Sequence, residues 1–168
     1  LNAEQVEGLT KLLEKPPANK STELLKLLSQ RIPPGVDEAA HIKANWLRSI
    51  ANNRAKSPLV SPLEATRLLG TMIGGYNVAA LIEILENDNL ALAECAAMGL
   101  SHTLLVYDAV NDVIELAKNN SFAAQVIDNW ANASWFTSKK ILPKEITVAI
   151  FKVEGETNTD DLSPATHA

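Results

Sequence analysis

The stretch GETNTDDLSPATHA, residues 155–168, gathers carboxylates and hydroxyls between Gly155 and Pro164. Thr159, Asp160, Asp161 and Ser163 can all accept hydrogen bonds, and the two carboxylates can also hold a proton or orient one. By residue type alone they equally make a turn, because short Asp and Ser side chains bond back to the neighbouring backbone. Elsewhere the candidates are fewer. His41 lies between apolar positions of a helical stretch, with no second His and no carboxylate cluster at ligand spacing, so a surface or packing role is expected. His102 and Asp108 suggest an acid–base pair, but their spacing puts them on different faces of one helix. Cys95 is the single cysteine, which excludes an internal disulfide and any multi-cysteine metal site built by this chain alone. Nothing basic flanks it to stabilise a thiolate, so it reads as a small buried hydrophobe. Gly74-Gly75 lacks the glycine spacing and the Lys-Ser/Thr pair of a Walker loop, and a sharp inter-helix turn is expected instead.

The elements around these residues are helices with clear punctuation. Val6, Leu9, Leu12 and Leu13 recur at helical spacing over 2–14, Asn2 caps, and Gln5 completes a capping box. Pro16 and Pro17 end that helix, Ser21 opens the next, and Pro33-Pro34-Gly35 ends it. A longer amphipathic helix runs from Asp37 to about Asn53, with Ile42, Trp46 and Ile50 every fourth residue. In SPLEATRLLG, Ser61 caps, Pro62 suits the first turn, Glu64 completes a box, and Gly70 is expected to make a left-handed exit. Asn77 is expected to cap the helix of Val78, Leu81, Ile82 and Leu85. The Ala-rich run 90–99 reads as a central, closely packed helix. Helical periodicity continues through Leu104–Ala117, and Ser121 is expected to cap a last helix carrying Phe122, Val126, Ile127 and Trp130. Seven or eight short helices result. Such antiparallel pairs close into a bundle or stack into an irregular solenoid. After Pro143 the pattern changes. In EITVAIFKVEG, Ile146, Val148 and Ile150 alternate with Thr147, Ala149 and Phe151, as in a strand. An isolated strand is marginal in water, so 144–168 reads as the opening of a second domain.

Bulk composition narrows the function classes. The chain has 168 residues, enough for one domain with a sizeable core. Hydrophobic residues make up 46%, a globular share that argues against disorder. The net charge of −5 and the lack of a basic run argue against nucleic-acid binding. No apolar stretch approaches the roughly 20 residues that span a bilayer. The start, LNAEQVEGLTKLLEK, has no basic segment followed by an apolar one, so no signal peptide and a cytoplasmic location are expected.

Several stretches resemble the aconitase B type of bacterial aconitate hydratases. They are PPGVDEAA (33–40), KSPL (56–59), LLGTMIGGYN (68–77), LSHTLL (100–105) and FKVEGETNTDDLSPA (151–165), in that order along nearly the whole chain. The resemblance implies a layout. Residues 1–143 would be a HEAT-like helical domain, and 144–168 the first strand and loop of a truncated α/β swivel domain. The chain would then be part of a much longer enzyme. That enzyme would interconvert citrate and isocitrate through cis-aconitate in the tricarboxylic acid cycle, with 2-methylisocitrate as a further substrate the resemblance allows.

The same resemblance assigns Thr159-Asp160 to the motif after the first swivel strand, and Asp160 to orienting a catalytic histidine from another domain. At Asp161 the chain departs from the commoner His of other aconitases, which leaves that residue without an assigned role. The family's [4Fe-4S] cluster would belong to the full-length enzyme, with no cluster bound by this segment. The helical domain would shape the active-site entrance. Its partners would be the remaining aconitase domains, a second copy in a homodimer, or other metabolic enzymes; RNA binding would be possible for the full protein but is not favoured for this segment, and no membrane is expected. A free-standing helical adaptor is the competing expectation.

Overall fold

The computed structural model describes residues 2–17, 19–29, 39–103 and 109–137, together with Glu145, Thr147 and Gly155. These residues hold nine helices and no strand: α1 Ala3–Glu14, α2 Ser21–Leu28, α3 Ala40–Ala51, α4 Pro62–Gly70, α5 Val78–Leu85, α6 Leu90–Ser101, α7 Val110–Ala117, α8 Ser121–Ala131 and α9 Ser134–Thr137. Among the described residues the fold is all-α, as expected, with nine helices where the periodicity suggested seven or eight. The expected boundary at 143/144 and the expected strand lie outside the described residues, apart from single positions.

Start signals explain several of these helices. Asn2 accepts from the Gln5 amide at 2.8 Å, and the Gln5 side chain accepts from the Asn2 amide at 3.0 Å, the expected capping box. Ser61 accepts from the Glu64 amide with Pro62 in the first turn. The box is not completed there, because the Glu64 carboxylate pairs with Arg67. Two caps differ from expectation. Asn120, not Ser121, caps α8 by accepting from the Ala123 amide, while its amide nitrogen donates to the Leu85 carbonyl at 2.8 Å. One Asn side chain thereby starts one helix and closes the end of another. Asn77 stands at the start of α5 but makes no cap; buried, it donates to the Leu69 carbonyl at 2.7 Å and ties α5 to the end of α4.

Gly70 makes no left-handed exit. It is the last residue of α4, and a Cβ there would lie 3.0 Å from the Gly99 Cα on α6. Between α4 and α5 the positive backbone angles fall at Gly74 and Gly75 instead, and they turn the chain sharply there as expected. The missing side chains at Gly70 and Gly99 let two helix backbones touch, in accord with the expected close packing of 90–99.

The helices order themselves into two rows. In one, α1 packs on α3 and α3 on α5; in the other, α4 packs on α6 and α6 on α8. Between the rows, α1 meets α2, α3 meets α4, α5 meets α6, and α7 meets α8. The core runs continuously along this seam through Leu13, Leu47, Ile50, Leu69, Leu81, Ile84, Leu100, Val113 and Val126, each almost fully buried. Each such side chain contributes about 1.5–3 kcal/mol by leaving water, so cohesion is spread along the rows. The apolar stripes explain which faces turn inward. Ile42 and Ile82 prove only half-buried, however, and Leu27 is exposed.

Candidate functional site

The ends of the helices bring side chains together from distant parts of the chain. Glu83 on α5 accepts from Arg48 Nε on α3 and from Arg54 Nη2 in the following turn, the latter at 2.6 Å. Burial by itself would raise the Glu83 carboxyl. The two guanidinium hydrogen bonds and charges outweigh it and hold the group below the ordinary carboxylate range. Asn53, in the same turn, takes a positive φ of 56°, and the Arg54 and Ala55 amides both donate to the Ser49 carbonyl. The cluster clamps the end of α3 to α5. It holds no nucleophile, so its chemistry is that of an ion-pair brace. Separations of 35 and 29 residues hid it from any local pattern.

The candidates read from residue type do not converge. His41 is exposed on α3. His102 is exposed too, and its Nδ1 sits 2.9 Å from the Met98 carbonyl, an acceptor, so Nδ1 carries the proton. Asp108 lies outside the described residues. Cys95 is half-buried rather than buried. Burial raises its pKa, Arg67 opposes the rise and Glu64 and Glu94 add to it, so the net direction is away from the thiolate. Arg67 is engaged by Glu64, and Arg48 and Arg54 by Glu83, so these arginines serve ion pairs within the fold. An open groove of about 640 Å³ lies between α2, the 57–61 segment and α4, walled by Leu25, Leu59, Leu68, Lys26 and Glu64. Among the described residues, no three His, Cys, Asp or Glu side chains stand close enough to hold a metal ion. No described helix is long and apolar enough to cross a membrane.

Asp160, the candidate assigned by resemblance, lies outside the described residues, as do Thr159, Asp161 and Ser163. Gly155, at the start of that loop, is exposed with φ of 100°, a turn conformation.

Residues 1–136 match the family model of the aconitate B N-terminal domain. Over its whole length the chain is 55% identical to an aconitate hydratase B of Synechocystis, covering 19% of that protein. It is 53% identical to aconitate hydratase B of Escherichia coli, again 19% of that protein, and 46% identical to that of Helicobacter pylori, 20% of it. The chain thus spans about a fifth of the length of the curated relatives it matches.

Proposed function

The chain belongs to the family of the aconitate B N-terminal domain, and from that premise we propose that it is the N-terminal, non-catalytic part of an aconitate hydratase. The observation that carries this is full-length identity of 46–55% to proteins of that name. The whole enzyme interconverts citrate and isocitrate through cis-aconitate in the tricarboxylic acid cycle, and 2-methylisocitrate is a second substrate to assay. The cell compartment is the cytoplasm.

A [4Fe-4S] cluster needs three or four thiolates. This chain has one cysteine, half-buried and with its pKa pushed up by burial. The donor set does not fit a cluster, and in this reading other parts of the enzyme hold it.

The two rows of helices, each touching its neighbours in chain order, support a HEAT-like stack. Stacks of this kind expose broad faces, suited to a second copy or to other metabolic enzymes. The charge of −5 supports protein partners over RNA. Within residues 144–168, Asp160 is the residue that orients a histidine supplied by another domain.

Turnover tests the reading. The full-length protein should hydrate cis-aconitate, and the 168-residue chain alone should not. A full-length protein inactive toward citrate, isocitrate and cis-aconitate when loaded with its cluster would leave the free-standing adaptor as the better account.

A further inference from the structure

Besides Cys95, the sulfur in this chain is carried by two methionines, Met72 and Met98. Both lie within two residues of the crossing where Gly70 of α4 meets Gly99 of α6, and their surroundings are opposite. α6 buries Leu92, Ala93, Ala96, Ala97, Gly99 and Leu100. Helical spacing puts Ala91, Glu94, Met98 and His102 on the other face, and all four are exposed. Met98 is 62% exposed. His102 bonds its backbone, through Nδ1 and the Met98 carbonyl at 2.9 Å, and not its side chain. Met72 follows α4 in the turn leading to Gly74-Gly75. Its amide donates to the Leu69 carbonyl at 3.1 Å, and its side chain is half-buried and packed against the apolar core.

This difference decides the outcome of one reaction. A thioether has no proton to lose, so its sulfur is a nucleophile in the form in which it stands, and access of the oxidant governs how fast it is oxidised. The sulfur lone pair attacks one oxygen of a peroxide and the O–O bond breaks. The attacked oxygen arrives with its proton, passes it to the hydroxide that leaves, and water results. Sulfur is oxidised by two electrons to the sulfoxide, and the peroxide is reduced by the same two. The product is polar where the thioether was apolar, so it disrupts packed surroundings. At Met98 it stands on a face already in water. At Met72 it would stand against the core.

We propose that Met98 is an oxidation site of this domain, converted by a peroxide to the sulfoxide ahead of Met72 and with the helical fold kept. The same conversion at Met72 costs stability. Neither step involves the hydratase reaction, and the test reads no turnover.

Cys95→Ala leaves the two methionines as the only sulfurs of the 168-residue chain. That chain is treated with excess hydrogen peroxide and followed by peptide mass spectrometry, beside a free peptide of residues 90–103. Met98 should oxidise within about threefold of the peptide rate and at least about threefold faster than Met72, because access sets the rate. The helical melt should hold while Met98 alone is oxidised and should fall as Met72 follows. Met98→Leu should remove the fast phase and keep the slow one. If Cys95→Ala loses its melt, the wild-type chain gives the same comparison, since the peptides resolve each methionine. A Met98 rate below that range, Met72 oxidised as fast as Met98, or a melt lost in the first phase overturns the proposal.

Discussion

Two carboxylates carry the residue-scale claims, and they differ in how far local pattern revealed them. Asp160 stands in a loop that residue types alone read as a turn; its role as a positioning residue comes from family resemblance. If it holds a histidine in one tautomer and stabilises the imidazolium, Asp160→Asn in the full-length enzyme keeps the fold and the cluster, since the side chains are nearly isosteric. It then lowers kcat by about 10²- to 10⁴-fold, the range of a general acid–base contribution. KM moves much less, and Asp161→Asn is milder. Wild-type kcat in the Asp160→Asn enzyme would reduce the loop to a turn. Glu83 could not be found by pattern at all, because Arg48 and Arg54 reach it only through the fold. Its folded pKa lies below the unfolded one. Its stabilisation is therefore complete above the unfolded carboxylate pKa and is lost as pH falls through the depressed folded value. Glu83→Gln should lower the melting midpoint at pH 7, modestly because the arginines are partly exposed and screened. The gap from wild type should close in acid. A gap of constant size across that range would show that charge is not what Glu83 contributes.

At the scale of elements, Gly70 and Gly99 decide how α4 and α6 meet. A Cβ on Gly99 would lie 2.8 Å from the Gly70 Cα, a backbone atom that cannot rotate away. Gly99→Ala must separate the helices, a cost of about 1–3 kcal/mol that exceeds the roughly 1 kcal/mol Ala gains in helix propensity. Gly8 is the control. It sits in α1 with nothing within 4 Å of an added Cβ, and Gly8→Ala should stabilise by about 0.5–1 kcal/mol. Denaturant melts of both variants check the pair; stabilisation by both would mean that α4 and α6 do not touch as described. Element boundaries were legible where the signal is local. Asn2 with Gln5, Ser61 with Pro62, and the Gly74-Gly75 turn all follow from residue type and spacing. Gly70, Asn77 and Asn120 did not, for one shared reason. Each answers to a partner on another helix, namely Gly99, the Leu69 carbonyl and the Leu85 carbonyl. A glycine at a helix end fits both a left-handed exit and a close crossing, and only packing separates the two.

For the whole molecule, helical periodicity was enough to give an all-α domain, because stripes such as Val78, Leu81 and Leu85 each need a buried face. It was not enough to order the helices, since a stripe does not name its neighbour. The two rows emerge only from which helices touch. The functional reading came through resemblance and identity to aconitate hydratases, while the described residues supply scaffold and braces. The central claim is that this chain is the non-catalytic opening of an iron–sulfur hydratase, with the cluster held elsewhere. Anaerobic reconstitution of the 168-residue chain with iron and sulfide tests it most directly. A single, half-buried cysteine predicts no cluster absorbance and no hydration of cis-aconitate, whereas stoichiometric [4Fe-4S] incorporation into this chain would contradict the account.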